Sequence, residues 1–386
     1  MMAGTAYDIV VVGGGPVGAA AALGLARAGF RVALVERGAA PAAFDMHSAC
    51  SSRVYALSQA SRRLLESLGV WRNLQRISPY DTMRVWVDEA TRGLRFDARA
   101  LALPELGWIV EHPLLVDRLW AALSYANVEV FPNAGTVEMA AGGVGLADGR
   151  VLQAALVVAA DGADSSLRTA AGIQTLGWRY AQRGIVCNVH VENAHEYTAW
   201  QRFLKTGPLA LLPLADGRVS IVWSVDEARA RELLALDDTA FCAALAAAVQ
   251  VLGAFHTPTP RLDFPLRLLQ AQHYANDGFV LVGDAAHTVH PLAGQGVNLG
   301  FGDVASLCET LKQARAGGRD WAARRTLQRY ARARRAAATE MLAVTDGLQK
   351  LFDARASVLR PLLGAGMGAV DAFAPLKAWL GRQATL

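Results

Sequence analysis

Cysteine is scarce in this sequence, which has four cysteines in 386 residues and no CxxC pair. Neither a zinc site nor a disulfide framework is therefore indicated, and a reducing cytoplasm fits. Net charge is also small: 38 Lys and Arg residues against 34 Asp and Glu residues leave +4, too little over this length to indicate a nucleic-acid-binding protein. With 53% hydrophobic and 19% charged residues, the composition also excludes a disordered chain.

The sequence also lacks membrane spans, secretory signals and recognisable catalytic triads or metal motifs. Residues 9–26 carry no charge, but they contain a glycine-rich turn and follow Asp8, where a secretory signal would carry Lys or Arg. Residues 239–255 are rich in alanine and are interrupted by Gln250 and Gly253, which indicates a packed helix. No HExxH, Ser-His-Asp order or clustered ligand spacing is present, so we expect no metal site.

Glycine is concentrated in two clusters, and the first follows a strand. An apolar run at residues 7–12 leads into GGGPVG at 13–18. A helix-like run at 19–28, ended by Gly29, and a second strand stopping at Glu36 follow. In a dinucleotide-binding βαβ unit, Gly13 makes the tight turn, Gly15 lets a pyrophosphate approach the backbone, and Gly18 lets helix and strand pack closely. A merely glycine-rich turn would not explain Glu36, whose carboxylate suits the ribose diol of FAD or NAD better than NADP.

The second glycine cluster also follows a strand. Residues 278–282 lead into Gly283 and Asp284 and then through HTVHPLAGQGVN at 287–298, after which a helix begins near Leu299. Asp284 is placed to accept hydrogen bonds from a sugar-alcohol chain, and Gly294 and Gly296 let backbone N–H groups approach a flat ring. A third strand, at 156–160, leads into DGADSSLR at 161–168, where Asp164 or Ser165 would cap the next helix.

These three segments resemble the fingerprints of single-component FAD-dependent monooxygenases of the aromatic-hydroxylase class. Within that class the chain is similar to the ubiquinone-biosynthesis hydroxylases over nearly its whole length, most specifically in HPLAGQGVNLG at 290–300. The resemblance implies bound FAD, with transient NAD(P)H or a reductase partner as the source of electrons. It implies that the protein hydroxylates the aromatic ring of a polyprenylated phenol or quinol precursor of ubiquinone. The oxygen atom would come from O2 through a flavin C4a-hydroperoxide.

The resemblance also implies an α/β architecture built around a discontinuous Rossmann-like domain. The FAD-binding domain would comprise residues 1–80, 105–174 and 273–330. An inserted, mostly antiparallel β-sheet substrate domain would comprise 81–104 and 175–272, and a C-terminal helical extension would comprise 331–386.

By matching position, Glu36 would hold the adenosine ribose, Arg53 the pyrophosphate, and Asp284 the ribityl chain or pyrophosphate. The full set of implied cofactor-binding residues is Gly13, Gly15, Pro16, Val17, Gly18, Glu36, Arg53, Asp117, Asp161, Asp284, Gly294, Gly296, Val297 and Asn298. An ordinary surface ion pair is the alternative for Arg53. Two positions depart from the family: Asp117 stands where Gln is usual and cannot donate a hydrogen bond, and Gly302 stands where Arg is common.

Since the flavin carries the chemistry, no side chain is assigned as a catalyst. His290 and Pro291 are the candidates beside the flavin, and we expect His287 to be neutral and hydrogen-bonded to backbone. Alternating segments in the middle of the chain predict strands that wall the substrate pocket. The candidate lining residues are Trp200, Phe203, Leu211, Leu212, Pro213 and Trp223. Ordinary sheet core is the alternative for each of them.

Two other functions remain open: a flavin-dependent reductase of prenyl double bonds, and a non-catalytic flavin-binding member of a complex with other ubiquinone-biosynthesis proteins. Residues 312–335 carry nine Lys and Arg residues, which fits a solvated helix face or attraction to anionic lipid. Apolar turns in the last forty residues could cover the flavin domain, dock a partner or touch lipid. We expect a cytoplasmic protein with possible peripheral contact at the inner membrane face.

Overall fold

The computed structural model describes residues 6–87, 93–289 and 295–352. Strands and helices are numbered here in chain order. The helices in the described part of the chain are α1 (Pro16–Arg27), α2 (Gln59–Ser67), α3 (His112–Tyr125), α4 (Ser166–Ala170), α5 (Glu227–Ala235), α6 (Asp238–Ala248), α7 (Gln295–Ala316) and α8 (Arg324–Phe352).

The first sheet has a parallel centre. Its strands are β1 (Ala6–Val12), β2 (Val32–Val35), β8 (Glu129–Phe131), β9 (Val137–Ala140), β10 (Gly143–Leu146), β11 (Val151–Ala159), β18 (Ala275–Asn276) and β19 (Phe279–Leu281). Their order is β18-β19-β11-β1-β2-β8, with β10 and β9 joined to β11, and the pairs β19/β11, β11/β1, β1/β2 and β2/β8 are parallel. The centre of β1, Ile9, Val10 and Val11, is fully buried, as expected for a strand with both faces covered.

The second sheet is almost entirely antiparallel. Its strands are β5 (Thr82–Trp86), β6 (Leu94–Asp97), β12 (Thr175–Val191), β13 (Thr198–Leu204), β14 (Gly207–Pro213), β15 (Val219–Asp226), β16 (Phe255–His256), β17 (Leu262–Ala271) and β20 (His287–Thr288). The order is β20-β17-β12-β15-β14-β13-β5-β6, with β16 joined to β12, and β13/β5 is parallel. A third, small antiparallel sheet has the order β3-β7-β4, formed by β3 (Val54–Leu57), β7 (Gly107–Glu111) and β4 (Ile77–Tyr80).

The two faces of the second sheet pack against different neighbours. One face lies under α5 and α6, where Leu211, Ile221 and Trp223 share a buried cluster with Phe241 and Leu245. The other face lies against the small sheet and joins a second cluster there. The second sheet is therefore covered by α5 and α6 on one side and, around Ala199, Leu212 and Leu214, by the small sheet on the other.

The predicted fold class is confirmed. Helix α1 begins at Pro16, three residues before the predicted helix-like run, and Gly29, at φ +87°, ends it. Helix α6 covers the first part of the alanine-rich stretch at 239–255 and ends at Ala248. Ser165 rather than Asp164 caps α4 through its hydroxyl oxygen. The predicted domain division stays a prediction, and residues 353–386 of the predicted extension lie outside the described residues.

Neither a membrane span nor a metal site is found in this part of the chain. None of its helices has the length and apolar composition that crossing a bilayer requires. It also holds no group of three His, Cys, Asp or Glu side chains placed to bind a metal ion.

Candidate active site

Four of the predicted cofactor-binding residues follow the carboxyl ends of four neighbouring strands. Gly13 follows β1, Glu36 follows β2, Asp161 lies just beyond β11, and Asp284 lies just beyond β19. Because β19, β11, β1 and β2 are adjacent and parallel, these ends meet at one edge of the sheet. Ligands of open parallel sheets bind at this edge.

The glycines of the first cluster differ in the space around them. A Cβ on Gly13, whose φ is +109°, would lie 2.3 Å from the Ala160 carbonyl oxygen, and one on Gly18 would lie 1.9 Å from the Gly13 carbonyl oxygen. A Cβ on Gly15 would meet nothing within 4 Å. Gly15 is also the N-cap of α1, and no side chain caps this end of the helix. The turn is therefore closed at Gly13 and Gly18 and open at Gly15, where a phosphate can approach the helix N-terminus.

Glu36 lies against this turn. One carboxylate oxygen accepts the N–H of Gly14 at 2.6 Å and the other accepts the N–H of Gly38 at 2.8 Å. The indole N–H of Trp120, on α3, donates to the Gly14 carbonyl at 2.7 Å. Each Glu36 oxygen keeps a lone pair for a further donor, which is what recognition of a ribose diol requires. Trp120 carries no motif in the sequence, and sequence analysis missed it.

The third strand–turn–helix junction holds Asp161. Its Oδ2 accepts the N–H of Leu167 at 3.3 Å, whereas its Oδ1 is buried without a hydrogen-bond partner among the described residues. Arg168, 7% exposed, donates to the carbonyls of Ala285 and Ala163 and so connects this junction to the turn that carries Asp284. An unsatisfied buried carboxylate oxygen at this position indicates a place for a donor from a ligand.

Asp284 is exposed on one side and surrounded by protein on the others. Desolvation raises the pKa of its carboxyl, and the charges of Arg53 and Arg267 oppose that rise. Arg267 is itself held by a bidentate pair with Asp164, at 2.6 and 3.0 Å. The structure therefore brings Arg53 into the electrostatic reach of Asp284, although 231 positions separate them in the sequence.

The loop before Arg53 is fixed by a buried ion pair. Arg76 donates to both carboxylate oxygens of Glu111, at 2.7 and 2.9 Å, and Glu111 accepts the N–H of Ser51 at 2.6 Å. Arg76 also donates to the carbonyls of Met46 and Ser48. Because Glu111 is 3% exposed, this pair is shielded from solvent and holds the loop in one position.

A tyrosine–histidine pair lies beside Arg53 and was not predicted from the sequence. The Tyr55 hydroxyl lies 2.8 Å from His112 Nδ1. Burial, together with the charge of Arg53, lowers the pKa of His112 to about 4. Burial also raises the pKa of Tyr55. At neutral pH both groups are uncharged, so this wall of the cleft leaves the arginine charge available to an anionic ligand.

The two glycine clusters meet over Val17. A Cβ on Gly283, whose φ is +60°, would lie 3.0 Å from Val17 Cγ1, and one on Gly300 would lie 2.6 Å from Val17 Cγ2. The start of α7 is joined to the small sheet by Asn298, whose side chain accepts the N–H of Ser58 and donates to the Ala56 carbonyl.

The remaining predicted residues of the flavin-ring loop are only partly covered by the structure. A Cβ on Gly296 would meet nothing within 4 Å, and Val297 is buried. His290, Pro291 and Gly294 lie outside the described residues, and their roles stay predictions.

A buried carboxylate connects the Asp284 turn to the two long helices. Asp303 of α7 is fully buried and accepts three donors: the Gly283 N–H at 2.9 Å, His287 Nε2 at 2.6 Å and Arg334 Nε of α8 at 2.7 Å. The expectation that His287 bonds to backbone is wrong, because its partner is this carboxylate. Arg334 also lies over Gly302, where a Cβ would be 2.7 Å from Nη2, so the glycine leaves room for this contact.

Asp117, the other departure from the family pattern, is paired within its own helix. Its carboxylate accepts Arg118 Nη1 at 2.7 Å, and Arg118 also donates to the Asn73 carbonyl. Asp117 is therefore paired with its neighbour Arg118. Among the described residues, it has no contact in which it takes the place of a Gln side chain that donates a hydrogen bond.

The predicted pocket-lining residues divide between the two faces of the second sheet. Trp200, Leu211 and Trp223 lie in the core under α5 and α6, and Pro213 is opposite Val219 of that core. Leu212 lies on the other face, in the cluster with Ala56 and Ile109 of the small sheet. Phe203 shares that face, because it alternates with Trp200 and is opposite Pro208.

The residues at the strand ends fit FAD. The donor and acceptor set comprises an open helix N-terminus for a pyrophosphate, a carboxylate with spare lone pairs for a ribose, an unsatisfied Asp161 oxygen, and Asp284 beside Arg53.

Comparisons with known proteins agree with this fit. A family model described as FAD binding domain matches residues 6–345. The chain belongs to this FAD-binding family. The 3-demethoxyubiquinol 3-hydroxylase of Escherichia coli K12 is 41% identical over 330 residues, 84% of each protein. Ubiquinone hydroxylase UbiL of Rhodospirillum rubrum is 37% identical over 388 residues, 98% of this chain and 89% of that one.

Solved structures show the same fold. The p-nitrophenol 4-monooxygenase PnpA of Pseudomonas putida has a TM-score of 0.80 at 20% identity, over 98% of both chains. Together these matches confirm the resemblance to the ubiquinone-biosynthesis hydroxylases, FAD as the cofactor, and FAD-dependent hydroxylation as the reaction class. Within this family, the assignment of individual binding residues stays a prediction supported by the geometry above.

Proposed function

We propose that this member of the FAD-binding family hydroxylates the aromatic ring of a polyprenylated phenol or quinol in ubiquinone biosynthesis. When bound and reduced, FAD supplies the activation of O2 from which one oxygen atom reaches the ring. NAD(P)H is the proposed reductant. The substrate class comes from the names of the relatives, and the arrangement of the cleft supports it.

The observation that carries the proposal is the contact between the cofactor side and the substrate sheet. Ala56 and Ile109 of the small sheet pack with Ala199, Leu212 and Leu214 of the second sheet in one buried apolar cluster. Ala56 is also the residue whose carbonyl accepts Asn298 at the start of α7. The start of α7 therefore lies next to this buried apolar cluster, and we place the substrate ring beside it, because such surroundings suit an aromatic group and exclude water.

Polar groups join the loop before β3 to the second sheet and to the segment that precedes β17. Asn188 of β12 donates to the Cys50 carbonyl at 2.7 Å, and Thr259 bonds to the Ser52 hydroxyl at 3.0 Å. These residues hold the loop that leads to Arg53 against the substrate sheet. Their role in the proposed reaction is to orient and to exclude solvent, and no described side chain is required as a nucleophile.

The mass of the product tests the proposal against reduction of a prenyl double bond. Purified FAD-loaded protein is supplied with NAD(P)H, O2 and a prenylated phenol, with oxygen-18 gas in a parallel sample. Ring hydroxylation predicts a product about 16 mass units heavier whose oxygen derives from the gas. A product about two units heavier would favour the reductase, and no product with no substrate-stimulated NAD(P)H oxidation would favour a non-catalytic flavin-binding protein.

A further inference from the structure

A strip of apolar side chains crosses four strands of the second sheet. The strand register places Leu262 of β17 opposite Val186 of β12, Val186 opposite Val222 of β15, and Val222 opposite Ala210 of β14. Residues directly opposite each other share a face of the sheet. This row, which we name the apolar strip, contains no charged or hydrogen-bonding side chain.

The inner end of the apolar strip lies at the proposed ring site. Val222 and Ala210 pack on the cluster that contains Ala56 and Ile109 of the small sheet. They therefore lie on the face of the sheet that packs against the small sheet and not under α5 and α6. Gln201 of β13, opposite Ala210, ends the row.

The outer end of the apolar strip is exposed. Leu262 is 55% exposed, and Phe264, two positions along the same strand and therefore on the same face, is 38% exposed. The other three residues of the strip, Val186, Val222 and Ala210, are partly buried. Four strands at ~4.8 Å spacing extend over roughly 14 Å, so the strip is a path from the protein surface to the cluster.

Exposed side chains of this kind indicate an apolar ligand. Exposing a contiguous row of aliphatic groups to water costs free energy. A ligand that covers the row removes this cost. The strip is narrow, one side chain wide across each strand, which suits a single extended hydrocarbon chain. Its inner end, at the ring cluster, is where such a chain would be attached to an aromatic head.

We propose that the apolar strip holds the isoprenoid tail of the substrate, with the ring at the Ala210 end and the tail leaving at Leu262 and Phe264. This inference rests on the proposed function and deepens it, since it assigns the residues that recognise the tail. It makes tail length a determinant of affinity that is separate from the chemistry on the ring.

The test compares two substrates with the same ring, one carrying a single prenyl unit and the other a tail of several units. Leu262→Gln places an amide on the exposed end, and Val186→Thr changes polarity in the middle of the strip while nearly keeping the shape. Each is expected to raise the KM for the long-tailed substrate about fivefold, as loss of apolar contact with one side chain predicts, and to leave kcat unchanged. The KM for the short-tailed substrate is expected to stay as in the wild type.

Leu176→Gln is the matched control. Leu176 is 57% exposed on the same strand as Val186, but it lies opposite Gln270 and outside the strip. This variant is expected to leave both KM values unchanged. Binding of a non-reactive long-tailed analogue, followed by the change in flavin absorbance, gives a second measurement that does not depend on turnover.

The possible failures are distinguishable. If the FAD-loaded wild type hydroxylates neither substrate, the proposed function fails. Suppose instead that the wild type hydroxylates both substrates, but that each variant leaves the two KM values unchanged or raises them equally. The tail assignment is then overturned while the proposed function stands. A KM effect of Leu176→Gln as large as that of Leu262→Gln would equally overturn it.

Discussion

At the residue scale, the glycines of the first turn separate folding from cofactor binding. Sequence spacing alone predicts which glycines matter, because each has a local task that neighbouring atoms enforce. The structure adds which task belongs to which residue: protein fills the space at Gly13 and Gly18, and the space at Gly15 is open. The substitution of a single hydrogen by a methyl group therefore has different consequences at positions only two or three residues apart.

Gly15→Ala is expected to fold normally and to bind FAD at least about tenfold more weakly, a loss of about 1.4 kcal/mol. The methyl group meets no protein atom within 4 Å, so it occupies only space that a phosphate would enter. The thermal midpoint of the FAD-free protein and the dissociation constant for FAD are the measurements. Gly145→Ala, on β10, also meets nothing within 4 Å and is the control. Unchanged FAD affinity in Gly15→Ala would remove the pyrophosphate from this turn.

His112 provides a prediction about pH. Its pKa is lowered from 6.5 to about 4 by burial and by Arg53, so the folded protein keeps it neutral where the unfolded chain protonates it. Stability is therefore lost as pH falls from about 6.5 towards 4. His112→Gln keeps a partner for Tyr55 but does not titrate. Between about pH 7 and pH 4.5 the wild type should lose roughly 1–2 kcal/mol more unfolding free energy than this variant, allowing for solvent screening.

Urea unfolding of both proteins at the two pH values measures that difference. Other acid-sensitive groups are common to both proteins and cancel in the comparison. Equal losses in the two proteins would show that His112 is protonated in the folded state. Sequence analysis missed the Tyr55–His112 pair because neither residue carries a motif. The two are brought together by the pairing of β3 with β7, which ends just before His112.

At the scale of elements, the Asp303 cluster determines how α7 and α8 are held to the Asp284 turn. The sequence places Asp303 and His287 in a recognisable segment, but it gives no sign that Arg334 of α8 joins them. Long-range pairing of this kind depends on the packing of α8 along α7, which no local pattern encodes. Gly302 contributes by leaving room for the guanidinium of Arg334.

Asp303→Asn is expected to lower the free energy of unfolding by about 3 kcal/mol, because it leaves the charge of Arg334 partly buried without its carboxylate partner. FAD should also dissociate at a lower temperature, because Gly283 and Asp284 lose their anchor. Asp148→Asn, which breaks an exposed pair with Arg150, should leave both quantities unchanged. Chemical unfolding and the release of flavin fluorescence on heating are the measurements. Equal stability of Asp303→Asn and the wild type would contradict the anchoring role.

At the scale of the whole molecule, the sequence predicts that strands of the second sheet wall the pocket. It does not predict which face of that sheet does so. Residues of both parities on β14 are apolar, because helices cover one face and the small sheet covers the other. Alternation is therefore absent from β14, and a one-residue error there exchanges the faces. The aromatic residues Trp200 and Trp223 drew attention for their size, yet they fill the core under α5 and α6.

Leu211 and Leu212 test this division directly, because they are adjacent, identical in type and on opposite faces. Leu211→Ala removes a fully buried side chain from the helix-covered core and should lower the unfolding free energy by about 3 kcal/mol, with KM for the substrate unchanged. Leu212→Ala enlarges the cleft beside Ile109 and should raise KM several-fold. It should also increase the NAD(P)H oxidised per product formed, because water enters the cleft. Steady-state kinetics with product counting, run beside urea unfolding, separates the two effects. If Leu211→Ala instead raised KM while Leu212→Ala did not, the substrate would lie on the helix side of the sheet.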